Sequence, residues 1–167
     1  DNYVHANEWQ LIGPAVADTS PSNASGTSTN VSRPGGTAHF IEVNYSDDTA
    51  VEVPSLRTGN LLVTGPGGFS AQAVYYDVDN YFNGTPRRAT YWFIPPGGAW
   101  DSADNGTYTF ALQASQVRDT LGQAAPAQTL GTFTVNVPAP VRRPPHDLTE
   151  TNATDWLSGA DGATAST

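Results

Sequence analysis

The sequence predicts an all-β protein, built as an antiparallel β-sandwich of about seven strands. Short segments in which apolar and polar residues alternate recur along the chain, and Gly- and Pro-rich turns separate them. No segment shows the 3.6-residue periodicity of an amphipathic helix. The chain has 167 residues, which is enough for one domain with its own hydrophobic core.

Six strands are predicted from alternation or from short apolar runs. The clearest begins at His39, where every second residue up to Tyr45 is suited to the core. Residues 18–36 have the composition of a loop that holds a short edge strand, and residues 77–88 and 116–122 are predicted loops. The six predicted strands are 39–45, 61–63, 69–76, 89–94 (apolar on both faces), 107–113 and 133–137.

Composition and charge exclude several classes of function. The chain carries 16 acidic and 7 basic residues, a formal net charge of −9, so the concentrated positive patch that nucleic acids need is missing. There is no cysteine, which excludes disulfides, thiolate metal sites and thiol nucleophiles. Every basic residue is arginine, which excludes lysine Schiff-base chemistry and a phosphate-loop lysine. No stretch is apolar enough to insert into a membrane.

The chain divides into three regions: an N-terminal extension (1–17), the predicted sandwich (18–138), and a proline-rich linker with a polar tail (139–167). The extension has the apolar residues that a strand needs when it adds to an open sheet edge of a neighbouring subunit. Such head-to-tail contacts between copies build filaments. Alternatively, the extension packs on its own domain or is a linker. The candidate assembly residues are Tyr3, Val4, Trp9, Leu11, Ile12 and Trp156.

The stretch DNGTY at 104–108 fits a turn that precedes a central strand in immunoglobulin-like sandwiches. Asp104 is expected to accept hydrogen bonds from nearby backbone, and Gly106 to take a positive φ. The ring of Tyr108 is expected to be buried while its hydroxyl bonds an upstream carbonyl, which defines a tyrosine corner. Phe110 falls where antibody domains place a disulfide cysteine.

Residues from about 18 to 138 resemble an immunoglobulin-like repeat of very large secreted bacterial proteins. The stretches that carry this resemblance are FIEVNYSDDTAV, LLVTGPGGFSAQA, NGTPRRATYWFIPPGGAWDSADNGTYTFALQASQVRDTLG and LGTFTVNV. The resemblance implies an extracellular or cell-surface module that acts as a spacer or adhesive unit, beside calcium-binding or cadherin-like repeats. It implies no catalytic residues. The first residue is Asp1, which is consistent with removal of a signal peptide.

Calcium is a candidate ligand because several aspartates fall in predicted loops, and calcium binds six to eight hard oxygen atoms. The first-choice ligands are Asp77, Asp79 and Asp101. The alternative is that these residues only shape turns, as aspartate commonly does.

A carbohydrate-binding surface is the second alternative, since the chain has 4 Trp, 7 Tyr and 6 Phe. Exposed aromatic rings beside polar groups stack on sugars, and the candidates are Tyr76, Tyr81 and Trp100. Catalysis is not expected, because the three histidines are scattered and no nucleophile or phosphate-loop motif occurs. The sequence therefore predicts a non-catalytic structural or adhesive module that binds copies of itself or other proteins, with polysaccharide binding as the alternative.

Overall fold

The computed structural model describes residues 20 and 22–141, and these form a sandwich of eight strands. Sheet A has the strand order β1–β2–β6–β5 and sheet B the order β4–β3–β7–β8, with antiparallel pairing throughout. The predicted fold class is confirmed. The strands are β1 (Asn23–Ser28), β2 (His39–Ser46), β3 (Leu61–Thr64), β4 (Ser70–Gln72), β5 (Val74–Val78), β6 (Arg87–Phe93), β7 (Gly106–Leu112) and β8 (Gln128–Val135).

The prediction of one strand over 69–76 was wrong, because the chain changes sheets within it. β4 lies in sheet B and β5 in sheet A, and Ala73 between them is fully buried. The Ala73 N–H donates to the Leu61 carbonyl, and its carbonyl accepts from the Gly59 N–H. The backbone of Ala73 is therefore still hydrogen-bonded to sheet B at the point where the chain leaves that sheet.

The core lies between the two sheets and follows the alternation of the strands. In β2 every second residue from His39 to Tyr45 is buried, and in β7 the buried residues are Tyr108, Phe110 and Leu112. Segment 89–94 carries apolar residues on both faces, as predicted, with Tyr91 and Phe93 buried and Ile94 exposed. β6 buries only one face, and Trp92 is half-buried on the other.

Phe110 lies between two glycines at the place where the sheets approach each other. A Cβ atom added to Gly26 of β1 would lie 2.5 Å from the Phe110 ring, and one added to Gly131 of β8 would lie 2.7 Å from it. Because such distances are sterically forbidden, only glycine at both positions allows β1 and β8 to close over this ring.

The first and last strands run side by side in the same direction, which gives the sandwich two distinct ends. Val31, just after β1, forms a parallel bridge with Val135 of β8. β1 starts at the end of the sandwich that also holds Ser46 and Arg87, here called the N-terminal end. The chain leaves β8 at the opposite, C-terminal end, beside Gly106. The described chain therefore passes through the sandwich from one end to the other.

The described residues also contain short 3₁₀ turns but no α-helix. None of their helical segments is long and apolar enough to cross a membrane. Three of the turns lie near the C-terminal end. There the side chain of Asn105 binds Val137 twice: its Oδ1 accepts from the Val137 N–H at 2.6 Å, and its Nδ2 donates to the Val137 carbonyl at 2.9 Å. The 3₁₀ turns are Val53–Ser55, Pro66–Gly68, Pro96–Gly98 and Ser102–Asp104.

Candidate interaction surface

The outer face of sheet A carries a row of apolar side chains near the C-terminal end. Phe40 of β2 and Val74 of β5 both pair with Trp92 of β6, which lies between their strands. The Tyr76 ring reaches over β6 to the Phe40 ring, with the ring centroids 5.9 Å apart in an edge-to-face arrangement. Ile94 extends the row. We call these five residues the aromatic ridge.

The aromatic ridge is exposed to an extent that is unusual for such residues. Phe40 is 49%, Tyr76 65% and Ile94 56% exposed. The next row of the same face is polar, with Thr27, Glu42, Thr90 and Asp77 in register. Contiguous apolar surface beside a polar rim is typical of an interaction site rather than of an ordinary protein surface. The ridge is therefore the best candidate for a binding surface among the described residues.

The sugar-stacking candidates are not all available. Tyr76 and Tyr81 are 65% and 72% exposed, but Trp100 is only 3% exposed and cannot offer a ring face to a sugar. Its ring packs edge-on against Tyr108, with centroids 5.2 Å apart, and against His39 at 5.4 Å. The choice of Trp100 was wrong because it follows a loop in sequence, whereas the Pro96–Gly98 turn folds that loop back onto the core.

Tyr81 is held in place by Asp77. The Tyr81 hydroxyl donates to Asp77 Oδ1 at 2.5 Å, and the Val78 N–H donates to the same oxygen at 2.8 Å. The hydrogen bond from Tyr81 lowers the pKa of the Asp77 carboxyl, and the bond from Val78 lowers it further. The Tyr81–Asp77 bond also raises the pKa of Tyr81. This pair fixes one exposed aromatic ring near the polar row beside the aromatic ridge.

The three aspartates predicted to bind calcium do not meet. Asp79 lies beside the start of β6, where the Arg88 N–H donates to its Oδ1, and Asp77 pairs with Thr90 in the middle of that strand. Asp101 follows the other end of β6 and caps the Ser102–Asp104 turn by accepting from the Ala103 N–H. Arg88 lies ~17 Å along β6 from the end of that strand at Phe93, so the three carboxylates cannot share one ion. Within the described residues no group of three His, Asp or Glu side chains is placed to hold a metal.

The tyrosine-corner residues lie at the C-terminal end. The Tyr108 hydroxyl donates to the Asp104 carbonyl at 3.0 Å, and Gly106 has a φ of 145°. Burial raises the pKa of Tyr108 to about 12, and the nearby Asp104 charge adds to this. Tyr108 and Asp104 also line a cleft of about 310 Å³, together with Ala103, Phe69, Pro96 and the Pro66–Gly68 turn.

Three of the four edge strands of the described sheets, β4, β5 and β8, are blunted. In β5 a bulge lies between Tyr75 and Asp77, and the Tyr75 N–H donates to Thr58 Oγ1. In β8 the Thr134 N–H donates to Asn30 Oδ1 at 2.8 Å, and β4 is only three residues long. Bulges, side-chain caps and short strands are the usual protection against edge-to-edge pairing. The expectation of an open edge for a donated strand is therefore not supported by these edges.

The assembly residues predicted from the sequence, Tyr3, Val4, Trp9, Leu11, Ile12 and Trp156, lie outside the described residues. Phe40, Trp92 and Ile94 were not among the surface residues predicted from the sequence. The parity of β2 contained the signal for Phe40, which alternates with the buried His39 and Ile41.

Together these features define the class of protein: a β-sandwich with an immunoglobulin-like tyrosine corner and an exposed aromatic face. No protein-family model and no curated protein matches the sequence. Among solved structures, the chain is similar to the N-terminal part of the bacterial S-layer protein SbsC, with 20% identity and a TM-score of 0.37. The match covers 71% of this chain and 24% of that one. The chain thus spans about a quarter of that structure, and so low a similarity carries no argument about function.

Proposed function

We propose that this chain is a non-catalytic structural module of a bacterial cell surface that assembles with copies of itself through its terminal extensions. The observation that carries the proposal is the path of the chain, which enters at one end of the sandwich and leaves at the other. Modules joined in line need this arrangement, because each linker then connects facing ends. The resemblance to repeats of secreted bacterial proteins is consistent with the proposal.

Two buried polar side chains, those of Asn60 and Asp119, also favour a structural role, because each holds backbone groups of its own loop. Asn60 accepts from the Arg57 N–H and donates to the Ser55 carbonyl. Asp119 Oδ1 accepts from two backbone N–H groups of its own loop, those of Leu121 and Gln123, each at 2.8 Å. We therefore infer that Asn60 and the Oδ1 atom of Asp119 serve the fold.

Removal of residues 1–17 and 139–167 is expected to convert an assembling protein into a monomer. The core contacts lie within the described residues, so the truncated chain should still fold. By light scattering, the mass of the full chain should be a multiple of 17.6 kDa, and the mass of the truncated protein should be that of one truncated chain. Oligomers of unchanged order after truncation, or a full chain that is monomeric at every concentration tested, would contradict the proposal.

A second candidate function is polysaccharide binding, which the exposed Tyr76 and Tyr81 favour. Affinity gel electrophoresis with bacterial and plant polysaccharides should then show retardation that Tyr76→Ala or Tyr81→Ala weakens by a factor of about ten, the typical worth of a lost stacking contact. Leu121→Ala, which removes an exposed apolar residue from the loop before β8, is the matched control. Equal mobility of the parent chain with and without polysaccharide would remove this candidate.

A further inference from the structure

The aromatic ridge and the N-terminal extension are two apolar surfaces of one chain without an assigned partner. The ridge exposes about half or more of Phe40, Tyr76 and Ile94. The extension contains YVHANEWQLI at 3–12, in which Tyr3, Val4, Trp9, Leu11 and Ile12 are apolar or aromatic. Burying large apolar side chains of this kind stabilises a contact, against the cost of ordering the segment that carries them.

We propose that the aromatic ridge of one copy binds residues 3–12 of the next copy, packed as an apolar segment on the face of sheet A. This inference rests on the proposed assembly and names the surface that accepts the extension. It differs from strand addition, which three of the four edge strands disfavour, because β4, β5 and β8 are short, bulged or capped by side chains.

The positions of donor and acceptor favour the next copy over the same chain. The extension precedes β1, which starts at the N-terminal end, whereas the aromatic ridge lies near the C-terminal end. When copies stack end to end, the extension of one copy starts beside the ridge of its neighbour. Within a single chain it would have to fold back ~20 Å along β1 and cross the polar row, which offers it no apolar contact.

The length of the chain permits the intermolecular contact. About 13 residues separate Trp9 from Ser22, and an extended chain of that length spans up to ~43 Å. A contact between two different surfaces of identical copies is heterologous, and repetition of it gives an open filament unless the rotation closes a ring.

The test uses two full-length variants, each lacking one half of the contact. Phe40→Ser/Tyr76→Ser removes the acceptor and keeps the extension, while Trp9→Ser/Ile12→Ser removes the donor and keeps the ridge. Each variant alone is expected to be monomeric by light scattering at concentrations where the parent chain assembles. An equimolar mixture is expected to form a dimer and nothing larger, because only one donor and one acceptor remain per pair.

Asn44→Ala, on the polar part of the same face, is the matched control and should assemble like the parent chain. Thermal unfolding checks that the variants fold. Assembly of either variant alone would overturn the inference, and so would failure of the mixture to form the dimer. A ridge variant that loses polysaccharide binding but still assembles would overturn it as well. In each case the parent chain shows separately whether the proposed assembly itself stands.

Discussion

Phe110→Ala is expected to lower the free energy of unfolding by about 3–5 kcal/mol, the usual cost of deleting a buried phenylalanine ring. The Phe110 ring is 1% exposed and fills the space between Gly26 and Gly131, so its loss leaves a cavity where β1 and β8 close the sandwich. A loss of this free energy is a large part of the stability of a typical domain. Urea denaturation followed by intrinsic fluorescence measures it from the shift in midpoint at constant slope.

The glycines supply a second arm for the same experiment. Gly26→Ala should cost about 1–3 kcal/mol, because the new Cβ meets a packed aromatic ring rather than the flexible end of a side chain. In a Phe110→Leu background the cost of Gly26→Ala should be clearly smaller, since the obstructing ring is gone. Strictly additive effects of the two substitutions would show that the glycine and the ring do not interact.

The stability of the fold is expected to fall in mild acid because of His39. Burial lowers the pKa of His39 from 6.5 to about 4 in the folded protein. Its ring lies 4.2 Å from the Phe133 ring and 5.4 Å from the Trp100 ring, centroid to centroid. Between pH 6.5 and 4 the unfolded state therefore binds more protons than the folded state. Because of His39, the free energy of unfolding is expected to decrease by about 2–3 kcal/mol as the pH falls from 6.5 to 4, and to lose nothing to this group above pH 6.5.

His39→Phe isolates this contribution, because phenylalanine keeps the aromatic packing and cannot be protonated. The bond between Ser28 Oγ and His39 Nε2 is lost, but Ser28 Oγ keeps its bond to the Phe40 carbonyl. Chemical denaturation at several pH values should show a shallower loss of stability for the variant between pH 6.5 and 4. Identical pH dependence of the two proteins would mean that the buried imidazole does not control the acid response.

Periodicity predicted the parts of the fold in which one face of a strand is buried. β2 and β7 follow strict alternation, because every second side chain points between the sheets. Periodicity failed at Ala73, which is still bonded to Leu61 and Gly59, because the chain passes from sheet B to sheet A there without any change in residue type. The short edge strand expected within residues 18–36 is β1, but periodicity could not give its position, because its sequence NASGTS resembles a loop and Gly26 must stay small beside Phe110.

The candidate surface was predicted only in part, for a different reason. Sequence identifies aromatic residues but not the side of the core on which a loop places them, so Trp100 was assigned to the surface although it is buried. The contact between Phe40 and Tyr76 joins β2 and β5, which are not neighbours in the chain or in the sheet. Only the strand order and the bulge in β5 bring these rings together.

The parallel course of β1 and β8 determines how the sandwich responds to mechanical force. A pull applied between the two ends of the described chain acts along both strands. The backbone bonds that join β1 to β2, and those that join Val31 to residues 134 and 136, are then strained together in shear instead of opening one by one. The Asn105 amide adds two bonds to Val137 at the point where the force leaves the sandwich. Forced unfolding is governed by the unfolding rate. Because these hydrogen bonds must rupture together, the module resists a pull along its axis. It is weaker against a sideways pull, which opens the same bonds in sequence.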